Sequence, residues 1–368
     1  MSLAWRNLLQ DKTRLLLSVS GVALAIMLIL LLTGFVSGLQ LQVTRYLDHA
    51  PGSVVLVPAG TKGASLVVPA QNLPLQAVDE ARSIPGVATA IPVVSQYAVL
   101  DLGQTKQFAV VIGYDPALGG GPWALREGRL PESDNEVVLD GVLADRRGVR
   151  LNDSFALMGQ TFRVAGLSQG TTTWMTSYVF MRLGAAQRLY GNPDTVSMVL
   201  VTPAAGVSPN ELRSRLTGIV GADPILKSDL IASTRSFYLS TFAAPLDLMA
   251  GIAALVGVLV VGMVVYTATL ERQREYGVLK AVGARNRVLY RVVATQALVA
   301  ALAGSALGVG LTLGAGQLIM ALRPQFLIAV EPTAVLFALA AGLGMALLAA
   351  LFPARLLASL APAEVFRR

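Results

Sequence analysis

Four stretches of this chain run for 22 residues or more without an Asp, Glu, Lys or Arg: Leu15–Val36 (within a run reaching Thr44), Leu248–Leu270, Val292–Leu322 and Pro332–Ala354. About 20 apolar residues span a hydrocarbon core, so the pattern predicts four membrane helices. The third run, 31 residues between Arg291 and Arg323, exceeds what an upright helix needs and is expected to tilt or to project beyond the bilayer. Gln40 to about Phe242 reads differently, with ordinary polarity and short apolar runs between turn residues. Ser53–Pro58, Val93–Asp101, Phe108–Gly113, Glu136–Leu139, Phe155–Met158, Phe162–Leu167, Tyr178–Met181 and Val196–Thr202 are expected strands, and Gln76–Ser83, Leu183–Tyr190 and Pro209–Ile219 expected helices. The reading is a membrane protein of four transmembrane α-helices, with a large extracytoplasmic α+β domain between the first and second. Its parts are 1–39 (an interfacial helix over Leu3–Lys12, then the first span), 40–242 and 243–368.

Between the second and third spans lies a charged island, Glu271-Arg272-Gln273-Arg274-Glu275-Tyr276-Gly277-Val278-Leu279-Lys280-Ala281-Val282-Gly283-Ala284. Charge at that density belongs on a membrane surface and not in hydrocarbon. Glu271 stands three residues before Arg274, Tyr276, Leu279 and Val282 recur every three, and Gly283 is placed as a helix stop. This pattern predicts a short amphipathic helix presented to something in water.

Composition fits the membrane reading: 54% of residues are hydrophobic, 14% are charged and the mean hydropathy is +0.62. A net charge of +7 would suggest nucleic acid in a soluble protein, but its location argues otherwise. The N-terminal flank (Arg6, Lys12, Arg14), the island and its continuation (Arg272, Arg274, Lys280, Arg285, Arg287, Arg291) and the tail (Arg355, Arg367, Arg368) hold twelve bases against four acids. The positive-inside rule therefore places both termini and the island in the cytoplasm, and the basicity reports topology, with no nucleic-acid partner implied.

The chain offers little chemistry. Cysteine is absent, which excludes disulfides and thiolate metal sites. The single histidine, His49, has no second histidine to pair with and is expected to be a surface or capping residue, with no metal site. None of the five lysines sits in a Gly-Lys-Ser/Thr context, so no Walker A loop exists, and no catalytic residue is proposed. Small residues are more informative. Ala300, Gly304, Gly308, Thr312 and Gly316 recur every four residues in the third span, with Gly310 and Gly314 beside them; Gly34 and Gly38 in the first span and Ala338 and Gly342 in the fourth repeat the spacing. Such stripes let helices approach closely, and a tight bundle without intramembrane charge reads as a mechanical scaffold and not an ion path.

The island resembles the E-R-x-R-E-x-G-x-L-(K/R)-A-x-G-A signature of the FtsX/MacB superfamily of ABC transporter permeases, which includes the MacB-, DevC- and LolC-like proteins. Two further regions are similar to that family. Gly128-Arg129-Leu130-Pro131, Glu136-Val137-Val138-Leu139, Leu143-Ala144, Leu151-Asn152-Asp153 and Phe162-Arg163-Val164-Ala165-Gly166 follow the pattern of the MacB-type periplasmic domain, with Asn152 where glycine is usual. Pro353-Ala354-Arg355 and Leu360-Ala361-Pro362-Ala363-Glu364-Val365-Phe366-Arg367 resemble the family's ending.

The resemblance implies a permease subunit in a bacterial inner membrane that works as a dimer, a homodimer by default, with a separate ABC ATPase subunit on the cytoplasmic side. ATP and Mg belong to that partner, and no cofactor to this chain. The island over about 271–284 is then the coupling helix of an FtsX-like domain spanning 243–368. Glu271, Arg274, Glu275, Leu279 and Lys280 would contact the ATPase, Gly277 and Gly283 would shape the turn, and Ala284 completes the coupling segment. ATP-driven motion would pass through the helices to the ectodomain, a mechanotransmission that exports or extracts a hydrophobic or amphipathic substrate: a lipid, lipopeptide, drug or haem. Phe35, Leu39, Phe237 and Phe242 are candidates for the path by which such cargo and membrane lipid reach the protein. The competing expectation is an FtsX-like signal transmitter that regulates an external hydrolase or sensor without transport. A periplasmic adaptor is a further partner the resemblance allows.

Overall fold

The computed structural model describes residues 12–61, 69, 71–101, 106–173, 176–271, 278 and 286–359. The chain enters through α1 (Lys12–Val43) and the short α2 (Arg45–His49), then β1 (Val54–Pro58), β2 (Leu73–Pro74), α3 (Gln76–Ser83), β3 (Val87–Asp101) and β4 (Lys106–Tyr114). It continues with β5 (Leu125–Gly128), β6 (Glu136–Asp140), α4 (Gly141–Arg147), β7 (Ser154–Leu157), β8 (Gln160–Ser168), β9 (Ser177–Arg182) and α5 (Leu183–Leu189). Next come β10 (Thr195–Val196), β11 (Met198–Pro203), α6 (Pro209–Leu216) and β12 (Ala222–Leu226), followed by three long helices, α7 (Lys227–Glu271), α8 (Asn286–Leu322) and α9 (Pro332–Ser359). The chain divides into two compact units: a helical one, 1–38, 242–322 and 328–368, and an ectodomain, 39–241 with 323–327.

The ectodomain is built on one mixed sheet in the order β12-β1-β11-β3-β4-β9-β6-β8-β5, with β7 bridging β3 and β8. The β4–β9 and β6–β8 pairs are parallel and the others antiparallel. The 15-residue β3 belongs to both halves of this sheet, pairing with β11 over its first part and with β4 over its second. Its central strands are covered on both faces, which is why Val54-Val55-Leu56-Val57 and Val137-Val138-Leu139 read as continuous apolar runs instead of alternating ones. Successive side chains enter different cores. Val54, Leu56, Val199 and Val201 pack with Leu212 and Leu216 of α6, while Val55, Val57, Ile112 and Phe180 pack on the other side with Tyr46, Leu47 and Leu230. A third cluster gathers Val111, Leu139, Val179 and Met181 under α4 and α5.

Expected and observed elements differ mainly at their ends. The expected strand Val196–Thr202 is two, because Ser197 leaves the ladder and sends its hydroxyl to the Ser95 carbonyl, 3.1 Å away. Five described elements have no counterpart among the expected ones: α2, β2, β5, α4 and β12. The helix α4 owes its start to Asp140, whose carboxylate accepts from the Leu143 N–H at 2.9 Å, and its end to Gly148 in the left-handed region at φ +69°.

The family-like residues of the ectodomain have structural explanations. Gly128 (φ +80°) lies so close to Gly166 and the Ala165 carbonyl that no Cβ fits there, and a Cβ on Gly166 would meet the Arg129 carbonyl at 2.5 Å. Arg129 clasps both oxygens of the buried Glu136 at 2.8 and 2.7 Å, Arg163 adds a second ion pair, and the Glu132 N–H donates at 3.0 Å. Chiefly through the Arg129 bond, the Glu136 pKa falls to about 2. Asn152, standing where the family usually has glycine, adopts φ +68°, a conformation asparagine tolerates better than most residues.

Among the described residues, four helical stretches are long and apolar enough to cross a membrane: Leu15–Val43, Ala244–Val264, Ala294–Leu322 and Pro332–Ala350. Val22, Ile26 and Leu30 of α1 pack with Val261, Ala297, Ala301, Ala338 and Met345 in the bundle core. The interfacial helix expected over Leu3–Lys12 and the family-like ending from Leu360 onward fall outside the described residues, apart from Lys12 itself at the start of α1.

Candidate functional site

The ectodomain begins and ends on helix, and the two ends are joined side by side. Pro51 favours extended backbone at Ala50 (ψ 143°) and so closes α2; Gly52 at φ +83° then turns the chain tightly past Val201 into β1. On the other side, β12 passes directly into α7, where the Lys227 N–H donates to the Ser53 carbonyl and its Nζ to the Ala50 carbonyl, both at 2.9 Å. Burial lowers the Lys227 pKa, while nearby Asp48 pulls the other way. Two turns along α7, Arg235 donates to Thr44 Oγ1 from Nε (3.3 Å) and Nη2 (3.1 Å) and pairs with Asp48 at 3.5 Å; the Thr44 hydroxyl in turn donates to Asp48 Oδ2 at 2.8 Å. Asp48 and Arg235 are each about one-third exposed, so the ion pair itself contributes under about 1 kcal/mol. Cohesion comes from Tyr46, Leu47 and Leu230, all fully or almost fully buried in one cluster. The polar clamp fixes the rotation of one helix against the other.

Tyr46 also donates to the Gly120 carbonyl at 2.8 Å, and burial raises its phenol pKa well above the ordinary value. His49 stacks on Trp123 with ring centroids 4.4 Å apart, and its Nδ1 lies 2.8 Å from the Arg45 carbonyl, to which only a protonated nitrogen can donate. No group of metal-ligating side chains occurs among the described residues. Asp140 is fully buried, and burial raises its pKa, but it accepts from Thr171, Thr172 and the Leu143 N–H and serves as a cap instead of an acid.

In the helical unit, the small residues of α8 meet α1. A Cβ on Gly304 would lie 2.6 Å from Val22 Cβ and 2.8 Å from the Val19 carbonyl; one on Gly308 would lie 2.7 Å from the Ala23 carbonyl and 2.9 Å from Ile26 Cβ. Thr312 is buried and turns its hydroxyl back to the Gly308 carbonyl at 2.7 Å. Gly316 and Gly34 both face Ile328, and Gly38 is buried. Gly310 and Gly314 face open space. Two close approaches lay outside the stripes: Gly21 against Val260 at 2.5 Å, and Gly257 against Ala25 at 2.8 Å and Met345 at 2.9 Å.

Of the island, Glu271 ends α7 and is exposed, as is the helical Val278. Arg274, Glu275, Gly277, Leu279, Lys280, Gly283 and Ala284 lie outside the described residues. The aromatic path candidates are divided. Phe35 and Phe242 are half-buried in the helical unit; Leu39 is buried and Phe237 exposed in the ectodomain, where Phe237 packs edge-on against Tyr238. Sequence reasoning missed the Thr44–Asp48–Arg235 clamp. Its only signal was a charge pair set among apolar residues near both ends of the ectodomain.

Two family profiles match the chain: the MacB-like periplasmic core domain over residues 15–219 and the FtsX-like permease C-terminal domain over 248–362. An uncharacterized ABC transporter permease of Mycobacterium tuberculosis is 28% identical over 99% of this chain and 98% of its own length. A macrolide export ATP-binding/permease protein MacB of Agrobacterium fabrum is 27% identical over 49% of this chain and 29% of its own. The periplasmic region of MacB from Actinobacillus actinomycetemcomitans, a crystal structure, superposes with a TM-score of 0.40 at 14% identity, covering 52% of this chain and 96% of that one.

Proposed function

The chain belongs to the MacB/FtsX family of ABC transporter permeases, and on that footing we propose that it couples ATP hydrolysis by a partner ATPase to export or extraction of a hydrophobic or amphipathic substrate. The observation that carries the reading is α7, a helix of 45 residues with Pro245 inside it, which runs from the last ectodomain strand to the edge of the charged island. At 1.5 Å per residue it is about 68 Å long, more than twice a hydrocarbon core. The Thr44–Asp48–Arg235 clamp ties the ectodomain end of this helix to the end of α1 and to α2, so the segment that leads to the island is continuous with a fixed part of the ectodomain. The relative that matches end to end is named as a permease, which agrees with ATP and Mg being held by another chain. Two copies of this chain, with termini and island in the cytoplasm of a bacterial inner membrane, complete the proposed arrangement. Cargo moves because the ectodomain is driven, with no chemistry of its own.

The test is ATPase activity of the complex with its ATPase in lipid nanodiscs, across a panel of lipids, lipopeptides, macrolides and haem. Selective stimulation by one class, abolished by Glu275→Lys, is the expected result. Activity that rises only when an external protein is added would overturn transport in favour of signal transmission, and a Glu275→Lys complex with wild-type stimulation would remove the island from the coupling role.

A further inference from the structure

One end of the β3–β4 ribbon departs from the pattern of the rest of the sheet. Val110 and Ile112 of β4 enter the core beside Tyr46, Leu47 and Leu230. Towards the Asp101–Lys106 end the residues on that face are still apolar and yet exposed: Tyr97 at 52%, Val99 at 39% and Phe108 at 65%. Val99 pairs directly with Phe108, and Tyr97 with Val110. On the other side of β3, the register that pairs Leu100 with Leu157 brings Met158 beside Val99. Met158 is 53% exposed, and φ +50° there with φ +81° at Gly159 turns β7 back into β8. Single exposed apolar residues are ordinary, but a row from the β7–β8 turn across β3 and β4 is a patch, and patches mark contact surfaces. The opposite face of the same strands, with Ala98, Leu100 and Ala109, is buried in the core. The row is therefore presented by well-packed strands.

Covalent connections fix the medium at that end. Gln107, the neighbour of Phe108, lines a cleft with Gln325. Gln325 stands three residues after Leu322, where the apolar stretch Ala294–Leu322 ends. On the other flank, Tyr97 lies beside Tyr238 of α7, whose phenol pKa is raised by burial and by Tyr97. Tyr238 stands six residues before Ala244, the start of another apolar stretch, which is about 9 Å of helix. Val99 and Phe108 lie two residues, about 7 Å, beyond Tyr97 and Val110 towards the Asp101–Lys106 end. Two chain connections thus put the row at the level of a bilayer interface, the zone in which aromatic side chains are enriched. At the end of the ribbon Asp101 stands opposite Lys106, two charges that offset each other and that suit headgroups and not hydrocarbon.

We propose that this row is a membrane-contact surface: Tyr97, Val99, Phe108 and Met158 rest in the interfacial zone of the leaflet on the ectodomain's side, and their partner is phospholipid. The ends of two apolar stretches lie within a few residues of the row's own neighbours, which favours lipid over a second protein as the occupant. The contact is apolar, because Asp101 and Lys106 offset each other, so it does not call for the anionic lipid that basic surface segments need. It goes beyond the transport reading and depends on neither the ATPase nor a cargo. Such a contact gives the ectodomain a hold on the bilayer through its own sheet, in addition to the helices that enter and leave it.

The chain has no cysteine, so Phe108→Cys and Met158→Cys, made singly, each carry one environment-sensitive fluorophore. Val220→Cys is the control, at a position 83% exposed and at the end of β12 remote from α7. The full chain is placed in phosphatidylcholine nanodiscs without ATPase or cargo. Quenching is measured with a phospholipid bearing a nitroxide high on its acyl chain and with aqueous iodide. Interfacial apolar faces sit about 5–10 Å into the headgroup–acyl boundary, so the nitroxide lipid should quench at positions 108 and 158 at least about threefold more strongly than at 220, with iodide showing the reverse order. Added phosphatidylglycerol should leave the result unchanged. Monodisperse elution and wild-type tryptophan emission report on folding, and the two reporters, one on a strand and one in a turn, check each other. Equal nitroxide quenching at all three positions would overturn the proposal. Protection from iodide without nitroxide quenching would overturn it in favour of a second copy of the chain lying on the row. Quenching that appears only with phosphatidylglycerol would overturn the apolar contact in favour of an electrostatic one.

Discussion

Gly308→Ala is the most direct trial of the helix packing, because its control lies two residues away on the same helix. The new Cβ would sit 2.7 Å from the Ala23 carbonyl oxygen and 2.9 Å from Ile26 Cβ. Carbon atoms prefer about 3.5–4.0 Å, so the shortfall against Ile26 is at least about 0.6 Å. Neither neighbour can rotate away, one being backbone and the other a Cβ, and α1 itself must shift. Overpacking of this kind costs about 1–3 kcal/mol. Gly310→Ala meets nothing within 4 Å and should range from neutral to a gain of about 1 kcal/mol through helix propensity. Thermal unfolding of the purified chain in detergent, followed by loss of the monodisperse peak, should give a midpoint lower by roughly 2–8 °C for Gly308→Ala and unchanged or higher for Gly310→Ala. Gly304→Ala should behave like Gly308→Ala. Equal sensitivity at positions 308 and 310 would refute the reasoning, since it would mean that glycine matters in α8 for flexibility or general composition and not for contact with α1.

Two predictions concern the ectodomain. Glu136 has its pKa lowered from the ordinary carboxylate range to about 2, so its clamp with Arg129 and Arg163 contributes stability that is fully present above about pH 4.5 and lost as pH falls towards 2. Because both arginines are nearly half exposed, Glu136→Gln should lower stability at neutral pH by only about 1 kcal/mol, and tryptophan fluorescence should show a shallower loss of stability between pH 4.5 and 2 than in the wild type. Gly128→Ala adds a left-handed penalty to a clash with the Ala165 carbonyl and should destabilise by about 2–4 kcal/mol. Asn152→Gly, at φ +68°, should change chemical-denaturation midpoints little, and a large loss there would show that the asparagine side chain and not its backbone is required.

Much of the architecture was written in one dimension. Runs without charge mark the membrane helices because a charge in hydrocarbon is costly wherever the run packs, and Leu15–Val36, Val292–Leu322 and Pro332–Ala354 lie inside or largely coincide with α1, α8 and α9. The ectodomain strands were legible from β-branched runs between turn residues, and α3 from its period and its Ile84-Pro85-Gly86 stop. Less legible was α7. Its first two turns, Lys227–Arg235, are polar and read as ectodomain, and only packing of Leu230 against Tyr46 and Leu47 makes them the start of a membrane-crossing helix.

What the sequence by itself determined is therefore the class: membrane spans, a mixed ectodomain, their order, and the family to which the island and the Gly128–Gly166 residues point. Each depends on composition or on contacts between near neighbours, which spacing records. Only the tertiary structure decided which small residues are contacts and which are open, for Gly308 and Gly310 differ in nothing but the face of α8 they occupy. It alone joined Thr44 and Asp48 to Arg235, almost 200 residues away, and Gln42 to Gln325, 283 residues away. Pairings at that distance leave no period in the chain, since they depend on where a helix end and a turn arrive after folding and not on anything repeated along the way.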